Sequence, residues 1–98
     1  MSKAVKSNKL APVRVEITEN RIKRGKFKDG EFCPVALALR ALKFKNVSVE
    51  TFTADVEKRN VLYTVKLPKK ASRFITAFDG GFAVKPFTFV ARFKEIIY

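Results

Sequence analysis

The chain has 98 residues, 47% of them hydrophobic, and 21 lysines and arginines against nine acids give a formal net charge of +12 at pH 7. That length suits one domain with a modest core, and the hydrophobic share is too high for a disordered chain. With no histidine and one cysteine, internal disulfides, His-based triads and the usual zinc sites are excluded, while the cationic surplus points to a polyanionic partner.

Met1 to Pro12 carries Lys3, Lys6 and Lys9, no acid and no apolar segment of the signal-peptide type. It reads as a flexible basic arm, residues 1–12, ahead of a single domain, residues 13–98. Val13 to Thr18 alternates strictly, with Val13, Val15 and Ile17 on one face, which predicts a half-buried strand. Thr18 suits the N-cap of a short helical turn, Glu19 to Arg24, closed by Gly25 in the left-handed region.

The segment from Arg21 to Lys28 places Arg21, Lys23, Arg24, Lys26 and Lys28 together without an acid, with Phe27 among them and Gly25 and Gly30 beside it. Cations interleaved with an aromatic, in a loop ahead of a helix start, fit contacts to phosphates with Phe27 stacking one base. The competing expectation is a solvated charge run with Phe27 folded inward. Asp29 and Glu31, nearer the helix, argue against a dedicated phosphate nest.

Pro34 is suited to the first position of a helix. Val35, Ala38, Leu39 and Leu42 then form a stripe that Leu37, Ala41 and Phe44 widen, which predicts a core helix running to Phe44 with Asn46 as its left-handed cap. Its run from Phe32 to Leu39 is far shorter than the ~20 apolar residues that span a bilayer, so no membrane contact is expected. Cys33 lies at the helix start near lysines, where a thiol is activated; its apolar neighbours Phe32 and Val35 favour a packed, inert thiol instead.

Val47 to Val56 alternates in two phases, which predicts a bulge near Glu50–Thr51, in preference to two strands joined by a turn. Glu57 to Asn60 reads as a hairpin turn with positive φ at Asn60, followed by a strand through Val61, Tyr63, Val65 and Leu67. Pro68 opens a second helix whose core stripe is Ala71, Phe74, Ile75 and Phe78, ended by Asp79-Gly80-Gly81. Pro86 to Phe93 is the last strand. Gly81, Phe82, Ala83 and Phe87 partly match the RNA-recognition-motif signature, but other positions depart from it and it precedes the wrong strand, so the match is read as coincidence.

The order predicts an α+β domain of the ferredoxin-like β-α-β-β-α-β type, an antiparallel sheet with both helices on one face. Its open face would offer Thr88, Val90, Arg92, Arg14, Glu16, Thr64 and Lys66, able to follow a phosphate backbone but poor in aromatics for base stacking. The nine acids are scattered, so no catalytic residues, metal site or cofactor are expected.

Cys33-Pro34-Val35-Ala36-Leu37-Ala38-Leu39 resembles the Cys-Pro-Val/Ile-Ala-Leu-Ala motif of small uncharacterised bacteriophage proteins. Ile22 to Gly25, Leu67-Pro68, Phe74-Ile75, Phe78-Asp79-Gly80 and Pro86-Phe87-Thr88-Phe89 extend the likeness from Val13 to Phe93. The resemblance implies a phage origin and a host-cytoplasm setting, and brings no activity with it. The expected function is a non-enzymatic phage accessory protein that binds nucleic acid through phosphate contacts from Arg21, Lys23, Arg24, Lys26 and Lys28, helped by Lys3, Lys6 and Lys9. The alternatives are a protein–protein inhibitor of a host enzyme or defence complex, steered by the same cations, and a small-nucleotide binder holding its anion where the loop meets Pro34.

Overall fold

The structure, a computed structural model, describes residues 10–96; Lys3, Lys6 and Lys9 therefore lie outside the described residues. Strand β1 (Val13–Ile17) buries Val15 and Ile17 and exposes Arg14 and Glu16, as its alternation requires. Thr18 caps helix α1 (Glu19–Arg24), its Oγ1 accepting the Arg21 N–H at 3.2 Å. Gly25 ends α1 in extended backbone (φ −69°, ψ 151°), not in the left-handed region that the sequence suggested. Space is the reason for glycine there: a Cβ would stand 2.5 Å from Cδ of Pro34.

Helix α2 (Pro34–Ala41) starts as expected, with Cys33 as N-cap and Pro34 in the first turn, and buries Val35, Ala36, Ala38 and Leu39. It stops earlier than its apolar pattern. Lys43, at φ 74°, takes the left-handed position just past the C-cap Leu42, and Phe44 re-enters the core from beyond the helix. Asn46 is also left-handed (φ 48°), but within strand β2 (Lys45–Val49), where the register against strand β3 (Thr53–Lys58) shifts between Lys45 and Ser48. The irregularity thus lies at Asn46. Around Glu50–Thr51 there is instead a turn between two strands, with the Glu50 N–H donating to the Thr53 carbonyl at 2.8 Å.

Strand β4 (Val61–Lys66) pairs with β3 across a two-residue turn in which Arg59 and Asn60 both have positive φ, 54° and 65°. Pro68 is the N-cap of helix α3 (Lys69–Asp79), and strands β5 (Phe87–Ala91) and β6 (Lys94–Glu95) complete the chain. β1 and β5 form one antiparallel sheet, and β2-β3-β4-β6 form a second.

The α+β class and antiparallel pairing follow the sequence expectation. The single sheet with two helices does not: among the described residues there are six strands in two sheets and three helices. Two breaks make the difference. The Glu50–Phe52 turn divides the expected second strand, and the interruption at Arg92–Phe93 lets the last segment pair first with β1 and then with β4. One core joins both sheets, with Val15, Ile17, Val35, Leu39, Val47, Val56 and Phe89 nearly inaccessible. α2 packs on β1 and β2, while α3 brings Phe74 to 4.9 Å from Phe87 of β5. Among the described residues no helix is long and apolar enough to cross a membrane.

Candidate nucleic-acid interface

The basic segment leaves α1 and is tied down before it reaches α2. The Lys26 N–H donates to the Phe32 carbonyl and the Cys33 N–H to the Asp29 carbonyl, both at 2.9 Å, while Oδ1 of Asp29 accepts from the Glu31 and Phe32 N–H groups. The loop is also anchored from outside. The Val49 N–H of β2 donates to the Gly30 carbonyl at 2.8 Å, and the Lys28 N–H donates to Oδ1 of Asp79 at 2.8 Å across 51 positions of sequence. Asp29 and Asp79 therefore hold main-chain groups and fix the loop's path.

Within that frame Lys23, Arg24, Lys26 and Lys28 are exposed. Arg21 is withdrawn: it is half-buried and donates from a guanidinium nitrogen to the Glu16 carbonyl at 2.8 Å, clipping α1 to the end of β1. Phe27 is neither folded inward nor free of the core. Its ring stacks on buried Phe78 at 4.7 Å and 21°, yet 61% of the residue is exposed, so one face is braced and the other is open among the cations. Arg40 joins the cluster from α2, its Nε donating to the Glu31 carbonyl at 2.9 Å. Its guanidinium lies 4.9 Å from the centre of the Phe32 ring, and the Lys26 ammonium approaches the same ring at 5.3 Å. Sequence reading missed Arg40, since it appeared only as an interruption in the apolar run of α2.

Burial raises the pKa of the Cys33 thiol; N–H groups of Ala36 and Val35 partly oppose this, and the Asp79 and Asp29 charges add to it. The group is a protonated, packed N-cap, with Sγ 3.5 Å from the Ala36 nitrogen, and has none of the character of an activated thiolate. A cavity of about 260 Å³ beside it is bordered by Lys28, Asp29, Glu50 and Asp79. Among the described residues no group of three acidic, cysteine or histidine side chains is placed to hold a metal ion.

On the open face of the larger sheet, Thr64, Lys66 and Arg92 come together as the alternation predicted, joined by Thr53 and Lys94 around a hollow of about 350 Å³. Arg14, Glu16, Thr88 and Val90 belong to the β1–β5 sheet instead. Two exposed aromatics, Phe52 and Phe82, were not anticipated as site residues; the signals near them were the phase change before β3, the glycine pair after α3 and, for Phe82, the partial recognition-motif match read as coincidence. No protein-family model matches the chain, and neither a curated protein nor a solved structure does.

Proposed function

We propose that this is a non-enzymatic nucleic-acid-binding protein that grips phosphates through Lys23, Arg24, Lys26, Lys28 and Arg40, with the open face of Phe27 stacking one base. The observation that carries the reading is Phe27, an aromatic ring held outward by its stack on Phe78 at the centre of an exposed cationic loop. Burying that ring would be the cheaper arrangement for a purely structural loop, whereas an upright ring beside cations suits a base and its phosphates. The acids bordering the cavity at the start of α2, Asp29, Glu50 and Asp79, favour this over a small nucleotide held at that point. In this reading Arg21 is structural, and Lys3, Lys6 and Lys9 add sequence-independent contacts. The Cys33–Leu39 resemblance supports a phage protein acting in the host cytoplasm.

Fluorescence anisotropy with a labelled oligonucleotide tests the proposal. The five loop contacts alone contribute about −3.5 to the slope of log affinity against log salt on a single strand, about a 100-fold loss between ~50 and ~200 mM. Changing Lys23, Arg24, Lys26 and Lys28 to Gln should make the slope shallower by about 2.8. Absence of binding at the lower salt would remove the proposal.

A further inference from the structure

Helix α3 turns Ala71, Phe74, Ile75 and Phe78 to the core, which leaves Lys69, Arg73 and Thr76 along its outer face. Two exposed rings flank that face. Phe52, at the tip of the β2–β3 turn, is 68% exposed, and Phe82, just beyond α3, is 71% exposed. With Arg73, Thr76 and Ala77 they wall a groove of about 390 Å³ that is almost wholly apolar apart from the arginine.

Both rings are on ordered backbone. The Phe82 N–H donates to the Ala77 carbonyl at 2.9 Å, and the Leu67 N–H donates to the Phe52 carbonyl at 2.8 Å. The Phe82 ring lies across Gly80, where a Cβ would stand 3.0 Å from Cδ2 and Cε2. Gly80 has ordinary helical torsions (φ −83°, ψ −1°), so its lack of a side chain serves the ring's position. Among the described residues no carboxylate lines the groove, and the one acid of α3, Asp79, accepts from the Lys28 N–H.

Thr53 follows Phe52 directly and lines the cationic hollow formed with Thr64, Lys66, Arg92 and Lys94. Groove and hollow therefore take neighbouring residues of one turn, Phe52 walling the first and Thr53 the second. Among the described residues no acid lines the hollow; the nearest in sequence are Asp55, two positions along β3 from Thr53 and paired with Thr64, and Glu95, which follows Lys94. An aromatic-walled slot beside a cluster of cations and hydroxyls suits a polyanion that alternates flat apolar units with phosphates.

We propose that the Glu50–Thr53 turn carries a binding track for single-stranded nucleic acid, with bases entering between Phe52 and Phe82 and phosphates on Arg73 and on Lys66, Arg92 and Lys94. The track rests on the nucleic-acid reading above and extends it, adding a second place for unpaired bases beyond the one base that Phe27 takes. A duplex keeps its base faces in its own stack and can use only the cations. An acidic amphipathic peptide is the competing occupant, but it has no repeating flat group to fill an aromatic slot next to each anionic one.

Anisotropy is measured at ~50 mM salt with oligothymidylate of about 15 nucleotides and with a duplex of the same length. The Phe52→Ala/Phe82→Ala variant should lose about tenfold or more on the single strand and change less than about twofold on the duplex. Thr76→Glu, which places a carboxylate in the groove without removing either ring, should show the same split. Lys66→Gln/Arg92→Gln should reduce the salt slope by about 1.4. If the aromatic variant and Thr76→Glu bind oligothymidylate like the wild type while the loop variants weaken it, the track is overturned and the loop reading survives. A wild type that binds polyglutamate but neither nucleic acid overturns both.

Discussion

Replacing Gly30 by Ala tests whether the basic loop is seated on the edge of β2 as described. Gly30 is half-buried, and its carbonyl accepts the Val49 N–H at 2.8 Å. A Cβ at this position would stand 2.5 Å from the Val49 carbonyl oxygen and 3.3 Å from its nitrogen. Both obstacles are backbone, so no flexible side chain can yield. Gly81 is the glycine with positive φ, at 80°, so the cost at Gly30 is steric and not torsional. Either the loop lifts and the hydrogen bond opens, at about 0.5–1.5 kcal/mol, or the strand edge distorts, at about 1–3 kcal/mol as for other overpacking. The lower entropy of the unfolded alanine chain offsets about 0.4–1 kcal/mol, leaving a net destabilisation of up to about 2.5 kcal/mol. Urea unfolding reads this as a lower midpoint at unchanged slope, and hydrogen exchange should show the Val49 N–H losing protection. Gly81→Ala is the control: nothing lies within 4 Å of its Cβ position, so any loss there comes from torsion alone. A Val49 N–H that keeps its wild-type protection in Gly30→Ala would refute the seating of the loop on β2.

Two further outcomes follow from the core. Leu39→Ala, at a side chain that is 1% exposed, should cost ~2–5 kcal/mol in urea unfolding, while the basic loop's affinity for oligonucleotide at matched folded fraction stays within about twofold. The raised pKa of Cys33 means that the folded chain holds its thiol proton where the unfolded chain, with an ordinary value of 9.0, releases it. Its contribution is therefore full below pH 9 and declines as pH rises through 9 towards the folded value. Cys33→Ala should lack this component, so the stability gap between wild type and variant should narrow between about pH 8 and pH 10; a constant gap would contradict a buried neutral thiol.

The sequence made the short-range features legible and left the long-range pairings hidden. Val15 and Ile17, and Phe74, Ile75 and Phe78, declared their faces because strand and helix periods act on each residue regardless of partner. The Glu50–Phe52 turn was hidden because it contains no Gly, Pro or Asn, and a phase change looks the same whether it comes from a bulge or a turn. The two-sheet pairing was out of reach, since it depends on what Phe87–Glu95 meets after the break at Arg92–Phe93. For the candidate site, the loop cations were legible as a charge run, but the withdrawal of Arg21 and the arrival of Arg40 each rest on a bond to a main-chain carbonyl. Phe52 was placed on the core face with Ala54 and Val56 because apolar residues are presumed inward until burial is known, and Phe82 stood out only in a motif match that departs from its pattern elsewhere.

The most conspicuous motif of the chain is, on this geometry, scaffold. Cys33, Val35, Ala36, Ala38 and Leu39 are each at most 4% exposed, and each has a packing or capping role that accounts for it. Pro34 sets the helix start, and its ring occupies the space that a side chain on Gly25 would fill. The Ile22-to-Gly25 turn and the Cys-Pro start of α2 are therefore two halves of one contact, and neither can change size without the other moving. This explains why a turn ending in glycine and a Cys-Pro motif eight residues later belong together in a sequence, with no ligand invoked for either. Between these halves the chain must leave α1 and return, and the loop it forms is held by its main chain to β2 and α3. Structural duty among its side chains falls to Asp29, which holds the Glu31 and Phe32 N–H groups, and to the Phe27–Phe78 stack, and of the exposed cations only Lys26 approaches a ring, that of Phe32. A rigid path with free cationic side chains is preorganised for a polyanion, because binding then orders side chains and not the backbone. The apolar helix thus contributes to function by fixing where the loop begins and ends.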